Sequence, residues 1–202
     1  MNYPAFFDNV EKVYMIDPLS AVLGTFSGGE VEFSYLDVVK AAGHSCPTVG
    51  GAYLMSLRAL EALYPNEKPL RGGIRVEFKE PMTEGVAGVI ANVITHITGA
   101  TESSGFKGLN GKFARHSLMS FESDIASSAR FSRVDNGESV DVFYNPSIVA
   151  PSPQMQPLMQ KIMGGVASDD EKREFGKLWQ ERVKMIVVDN AKNSDVIRVV
   201  KL

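Results

Sequence analysis

The sequence places its single cysteine two residues after one of its three histidines, in the stretch GHSCPTVGG. An extended backbone puts the side chains of His44 and Cys46 on one face, about 7 Å apart at their Cα atoms. An imidazole nitrogen and a thiolate sulfur at this spacing can meet on one Zn²⁺ ion, at about 2.0 and 2.3 Å. Two ligands rarely hold zinc, so a water, a second subunit or another side chain must contribute. The candidate side chains are His96, His116, Asp37 and Tyr35.

Cys46 is also predicted to be the N-cap of a helix, because Pro47 suits the first helical position, where its missing N–H would be unpaired anyway. A thiol there faces unpaired N–H groups and the positive end of the helix dipole, which favours the thiolate. A second hypothesis is therefore an enzyme, in which a bound metal activates water or Cys46 attacks a small molecule with His44 as base. A structural role, with a buried thiol and a histidine that caps carbonyls, is also open.

Two glycines, Gly50 and Gly51, fall in the first turn of the same helix. Each costs about 1 kcal/mol relative to alanine, so we expect a ligand or another backbone to approach closely there. Lys107 and Lys112, near a loop rich in Gly and Ser, are candidates to hold an anionic substrate. A third hypothesis is a non-catalytic binding module, in which the glycines allow close packing across a dimer interface.

The elements that position these residues follow from hydrophobic periodicity. Residues 4–15 show helical spacing, and VEFSY alternates as a half-buried strand does. A short helix, YLDVVKAAG, ends at Gly43, so His44 lies in the connection before the helix of residues 47–64. The apolar stripe of that longer helix consists of Val49, Tyr53, Leu54, Leu57, Leu60 and Leu63.

Later segments predict strands and helices in separate groups. GGIRVEFKEP and KFARHSLMSFE are predicted strands, and VAGVIANVITHITG is a predicted helix that ends at Gly99. ARFSRVDNGESVDVFYNP indicates a β-hairpin, because Asn and Gly tolerate the positive φ angles of tight turns. LMQKIMGG predicts a short helix, Ser168 and Glu171 are spaced as the capping box of another, and DVIRVV is a final strand.

This segregation of helices and strands predicts an α+β fold, with a mainly antiparallel sheet packed against helices. We expect a single domain over residues 1–202. Its core covers about residues 30–145, and a C-terminal helical extension and a final strand occupy residues 146–202.

Composition narrows the function classes. The 202 residues carry a formal charge of -3, with Lys and Arg scattered along the chain, so the basic surface of a sequence-independent nucleic-acid binder is missing. No run approaches the ~18 apolar residues of a membrane span, and the first residues lack the pattern of a signal peptide. One cysteine gives no intramolecular disulfide. The sequence predicts a cytoplasmic protein with neither nucleic acid nor a membrane as its partner.

The stretch GHSCPTVGGAYLMSLRALEAL resembles the signature of the FmdE-like family of formylmethanofuran dehydrogenase subunits, in which G-H-x-C-P-G opens a long helix after a short one. ITGATESSGFKGLNGKFARHSLMSF is similar to a later family segment, where a T-G-C-T-x-G-K-G-type loop leads into an edge of the sheet. The resemblance covers roughly residues 35–125. It implies an FmdE-like α+β core, a tightly associated homodimer, and a metal, commonly zinc, near His44 and Cys46.

The sequence departs from the family pattern at two positions and in one module. Ala100 stands where the family loop usually has cysteine, and Thr48 replaces the glycine after the motif proline. The cysteine-rich zinc finger that some members append is missing. A site with two thiolates is therefore not expected, and His96, His116 or a carboxylate is expected to complete the metal shell. A methanofuran pathway is not implied.

Overall fold

A computed structural model describes residues 2–202 of the chain. Within that range the chain forms six α-helices and seven β-strands. The helices are α1 (Pro18–Val22), α2 (Tyr35–Ala42), α3 (Pro47–Leu63), α4 (Ala87–Thr98), α5 (Met155–Met163) and α6 (Asp169–Lys184). The strands are β1 (Val13–Ile16), β2 (Glu30–Phe33), β3 (Ile74–Glu77), β4 (Met119–Ser120), β5 (Ala129–Arg133), β6 (Ser139–Tyr144) and β7 (Ile197–Lys201).

The strands form two sheets, one of five strands in the order β4-β3-β5-β6-β7 and one of the two strands β1 and β2. Every strand pair is antiparallel except the short parallel pair of β3 and β4. The predicted hairpin is the pair β5 and β6, and its turn places Gly137 at a φ of 79°. The predicted α+β class with a mainly antiparallel sheet is therefore confirmed.

The longest helix, α3, is also the most deeply buried, and it contacts α2 and α4 as well as β6 and β7. The whole predicted apolar stripe is buried, but so are residues outside it, including Ala52, Met55 and Ala59. A helix buried all round its circumference lies at the centre of a core. The N-terminus of α3, which carries the candidate residues, is therefore held by packing from several elements.

Two local predictions are wrong. Residues 4–15 do not form one helix: a 3-10 helix covers Ala5–Asn9, and β1 begins at Val13 because it pairs with Phe33 of β2. KFARHSLMSFE is not a continuous strand either, and only β4 is extended. Phe113 and Ser117 have φ angles of 64° and 57°, and backbone in this left-handed region cannot continue a strand.

The C-terminal part largely follows the prediction. α5 begins at Met155, a few residues earlier than its predicted start, and the capping box of α6 is present. α6 is followed by a π-helical turn, Met185–Asp189. The main hydrophobic cluster contains residues from Phe6 near one end to Ile197 near the other, so both terminal regions contribute to the core. Within residues 2–202, no helix is both long and apolar enough to cross a membrane. A cytoplasmic location stays a prediction.

Candidate functional site

Cys46 is the N-cap of α3, as predicted, and its sulfur is turned toward the helix. The N–H of Val49 donates a hydrogen bond to Sγ of Cys46, over 3.4 Å. The cysteine side chain is mostly buried, with 8% of the residue exposed. A buried thiol reacts slowly because reagents must reach the sulfur. The structure therefore gives Cys46 a clear local role as a cap and only limited access from outside.

Two tyrosines lie next to Cys46. The hydroxyl of Tyr35 lies 2.9 Å from Oγ of Ser45, and the hydroxyl of Tyr144 donates to the carbonyl of Pro47 over 2.6 Å. Burial raises the pKa of Tyr35 and of Tyr144, and the neighbouring Cys46 contributes in the same direction. Both hydroxyls therefore stay protonated at neutral pH and hold the connection before α3 in place.

The close approach predicted at the two glycines is made by side chains of this same chain. A Cβ atom on Gly50 would lie 2.6 Å from Cγ1 of Val187, and one on Gly51 would lie 2.2 Å from Cε1 of Tyr144. Neither position tolerates a methyl group without movement of a neighbour. The two glycines thus allow the π-helical turn and β6 to pack directly against α3, and their proposed part in substrate binding stays a prediction.

His44 is exposed and lies in the connection between α2 and α3, as predicted. Nδ1 of His44 lies 3.0 Å from the carbonyl oxygen of Ala42. With its proton on Nδ1, the ring donates to that carbonyl, and the lone pair of Nε2 is left free. Histidines that bind metals commonly donate their other N–H to a carbonyl or carboxylate in this way. With its proton on Nδ1, the ring of His44 is therefore in the tautomer that can bind a metal ion through Nε2.

His44 and His96 line one cleft, which we call the α2–α4 cleft. Its volume is about 250 Å³. The lining residues are Val38, Ala41, Ala42, His44, Val89, Asn92, Val93 and His96. The four residues from α4 share a single face because side chains three and four positions apart on a helix are neighbours. Asn92 lies one turn before His96 on this face, and sequence reasoning missed it although the four-residue spacing was visible.

His96 is half-buried at the C-terminal end of α4. Its ring packs edge-on against Phe33 with centroids 5.5 Å apart, and its carbonyl accepts a hydrogen bond from Nη2 of Arg71 over 3.1 Å. Burial and then the positive charge of Arg71 lower the pKa of His96, while the negative charge of Asp37 acts against them. The imidazole is therefore neutral at physiological pH, which is the form that binds metals or accepts protons.

The other candidate residues lie elsewhere. Oδ2 of Asp37 accepts hydrogen bonds from the backbone N–H and the hydroxyl of Ser34, and these lower its pKa although burial alone would raise it. His116 lies in a loop with Nδ1 2.9 Å from Oγ of Ser117. Lys107 and Lys112 are exposed in the loop after α4. None of these residues lines the α2–α4 cleft, and Cys46 does not line it either.

Donor chemistry decides which metals the cleft suits. In the described range, residues 2–202, no three side chains of His, Cys, Asp or Glu are grouped so that they could hold a metal ion. The α2–α4 cleft offers two imidazoles and the amide oxygen of Asn92. Imidazole nitrogen suits zinc, copper and nickel, and an oxygen donor is compatible with each. The donor types that line the cleft are therefore compatible with these metals.

Comparison with known proteins assigns no family, since neither the protein-family models nor the curated proteins give a match to the chain. The fold and the cleft define the class: an α+β protein with a mainly antiparallel sheet and two histidines that line one cleft. The resemblance to the FmdE family rests on the two quoted segments and stays a prediction.

Proposed function

We propose that this protein binds a divalent metal ion, zinc or another late transition metal, in the α2–α4 cleft through His44 and His96. The observation that carries the proposal is that these two side chains reach one cleft from separate elements. Two further findings support it. The hydrogen bond between His44 and the Ala42 carbonyl leaves Nε2 free, and the lowered pKa of His96 keeps its ring neutral.

Such a site keeps coordination positions open, because the chain supplies two imidazoles and one amide oxygen. Open positions are typical of catalytic metal sites, whereas structural zinc sites are closed by four protein ligands. A metal bound there would polarise a carbonyl group or lower the pKa of a bound water. A metal-dependent enzyme acting on a small molecule is therefore the second candidate function, and the open cleft is the observation that favours it.

Cys46 supports His44 in this proposal, because its cap of α3 fixes the connection that carries the histidine. The pair His44 and Cys46, predicted from their spacing, is the alternative ligand set. It requires Sγ to give up the hydrogen bond from Val49 and to turn outward. Cobalt distinguishes the two, since a thiolate bound to Co²⁺ gives a charge-transfer band in the near ultraviolet that imidazole does not give.

The direct test is to titrate metal-free protein with Zn²⁺ and with Co²⁺ and to monitor binding by calorimetry and by absorption spectroscopy. We expect about one ion per chain. His44→Ala and His96→Ala should each weaken binding about 100-fold, because even residues behind a ligand contribute 10- to 100-fold. The matched control is His116→Ala, which removes the third histidine from a loop outside the cleft and should leave affinity unchanged.

Three results would contradict the proposal or redirect it. Absence of binding by wild-type protein ends it, and equal losses in all three histidine variants point to non-specific binding. A thiolate band with Co²⁺, lost in Cys46→Ser, favours the His44 and Cys46 pair instead.

A homodimer is a further part of the proposal. Its support is the resemblance to the FmdE family, and a second subunit is one source of the missing third ligand. Sedimentation of metal-free and metal-loaded protein tests it. A monomer in both states, at concentrations well above those of the metal titration, would remove this part and leave the cleft proposal standing.

A further inference from the structure

His96 lies in the last turn of α4, where the backbone carbonyls need partners from outside the helix. The last four C=O groups of an α-helix have no partner within it, and in α4 these belong to residues 95–98. The N–H of Gly99 donates to the carbonyl of Thr95 over 2.8 Å. The three carbonyls that remain, including that of His96, receive their hydrogen bonds from the segment that precedes β3.

Two neighbouring residues of that segment supply the three hydrogen bonds. Arg71 donates from Nε to the carbonyl of Ile97 over 3.0 Å and from Nη2 to the carbonyl of His96 over 3.1 Å. The N–H of Gly72 donates to the carbonyl of Thr98 over 2.8 Å. A cation at this end of a helix also interacts favourably with the helix dipole. Arg71 and Gly72 together therefore fix the turn of α4 that carries His96.

Arg71 is itself held by other parts of the chain. Its backbone N–H donates to the carbonyl of Ile16 in β1 over 2.8 Å, and its Nη1 lies 3.1 Å from Oδ2 of Asp17. Burial acts to raise the pKa of Asp17, but the N–H of Ser20 and two nearby guanidinium groups outweigh it and lower the pKa. The carboxylate is therefore ionised at neutral pH. With Nε, Nη1 and Nη2 all engaged, the guanidinium group of Arg71 has a fixed place between β1 and α4.

The same guanidinium group also reaches the ring of His96 through an aromatic side chain. Its central carbon lies 5.4 Å from the centroid of the Phe33 ring, and that ring packs edge-on against the His96 ring with centroids 5.5 Å apart. A cation is attracted to the face of an aromatic ring, and paired aromatic rings prefer defined mutual orientations. Arg71 therefore holds the main chain of His96 directly and its ring indirectly.

We propose that Arg71 is a positioning residue for His96: it sets where the ring points in the α2–α4 cleft, and it thereby raises the affinity of the cleft for a metal ion. Residues behind a metal ligand contribute about 10- to 100-fold to affinity. The effect on metal affinity rests on the proposed function, whereas the effect on the position of the ring does not.

The charge of Arg71 and its positioning role affect metal affinity in opposite directions. A positive charge close to a bound cation weakens binding by Coulomb repulsion, so removal of the charge alone should strengthen binding. Loss of positioning should weaken binding, because the His96 ring then samples orientations in which it does not reach the ion. The sign of the change therefore distinguishes the two effects.

The test compares Arg71→Met and Arg71→Lys with wild-type full-length protein in titrations with Zn²⁺. Arg71→Met should weaken binding about tenfold, at the lower end of the effect of residues behind a ligand. Arg71→Lys keeps the charge but loses the forked donors of the guanidinium group, so it should also weaken binding, by several-fold. If Arg71→Met does not fold, Arg71→Lys carries the same comparison, because loss of positioning is then the only change.

The matched control is Arg58→Met. Arg58 likewise donates from Nε to a backbone carbonyl and from both Nη atoms to carboxylates, but it does not line the α2–α4 cleft or contact His96. Its substitution should lower stability in urea denaturation and leave the affinity for zinc unchanged. A general loss of stability is thereby separated from a loss of positioning.

A second measurement needs no metal. In metal-free protein, NOE cross-peaks between the ring protons of His96 and Phe33 report how the two rings lie. These cross-peaks should weaken in both Arg71 variants and persist in Arg58→Met. If wild-type protein binds no zinc, the proposed function fails, and this NMR comparison still decides whether Arg71 positions His96.

Three results would overturn the positioning role. The first is unchanged cross-peaks in the Arg71 variants. The second is an equal loss of zinc affinity in Arg71→Met and Arg58→Met. The third is unchanged zinc affinity in Arg71→Lys together with stronger binding by Arg71→Met, which would show that Arg71 acts only through its charge.

Discussion

The N-terminus of α3 and the α2–α4 cleft lie on either side of one short connection, and they differ in how accessible their chemical groups are. Cys46 is 8% exposed with its sulfur bonded to Val49, and Gly51 is covered by Tyr144. His44, two residues before the cysteine, is exposed and faces a cleft together with His96. The cysteine and the glycines of the motif are therefore buried and take part in packing. The histidine remains accessible to solvent and to a ligand in the cleft.

This difference separates two roles, packing and ligand binding, which the sequence of a single short motif had suggested together. A small residue at the start of a buried helix allows close packing, and this packing explains the small residue without any ligand. A histidine fixed by a backbone carbonyl beside a cleft is not required by packing. The two regions should therefore respond differently to substitution, and the largest effect is expected at Gly51.

Gly51→Ala should cost about 2 to 3 kcal/mol of unfolding free energy, because the added methyl group overlaps the ring of Tyr144 and overpacking costs this much. The control is Gly176→Ala in α6, where an added Cβ meets nothing within 4 Å. That substitution should stabilise by about 1 kcal/mol through helix propensity. Urea denaturation measures both. A small, equal change at the two positions would mean that the α3 N-terminus is open after all.

Cys46→Ala should cost about 1 kcal/mol, the usual value for a lost N-cap, whereas Cys46→Ser should cost less because serine keeps an acceptor for the Val49 N–H. Chemical denaturation measures both. In native protein, we also expect Cys46 to react with iodoacetamide more than about tenfold slower than in urea-unfolded protein, since the sulfur is buried. Rapid native alkylation would revive the hypothesis of a nucleophilic cysteine.

The contrast between the two regions also shows what the sequence could predict. The αL caps at Gly43 and Gly99 and the capping box of Ser168 and Glu171 depend on neighbouring residues, and all were predicted correctly. That His44 and His96 line one cleft depends on how α2 docks against α4, which no local pattern encodes. For that reason the sequence could present His96 only as one of several candidates for a further metal ligand beside His44.

Longer-range contacts also explain the failed and incomplete predictions. The strand expected around Arg115 is lost because that side chain turns inward to Asp17 and the backbone on either side is left-handed. The close approach at Gly50 was expected from its cost in a helix. That Val187 makes this approach depends on the π-helical turn after α6, far along the chain.

The pH response of the cleft should differ from that of an ordinary histidine. The pKa of His96 is lowered, so in metal-free protein its ring should titrate below the usual value of about 6.5. Folding then favours the neutral ring, and its contribution to stability is present above about pH 6.5 and decreases as the pH falls through the lowered pKa. NMR titration of the ring protons measures this. A ring that titrates above 6.5 would show that Asp37 outweighs burial and Arg71.

The smallest expected effect concerns Asn92, which lies on the cleft face of α4 one turn before His96 and is exposed. If its amide oxygen is the third donor, Asn92→Ala should weaken zinc binding by several-fold, less than loss of either histidine, because water can take the vacated position. Asn92→Asp should instead strengthen binding, since a carboxylate adds charge at the same place. Protein stability should barely change, because the side chain is exposed. If both variants bind zinc as the wild type does, Asn92 is only part of the wall, and the third donor is water or belongs to a second subunit.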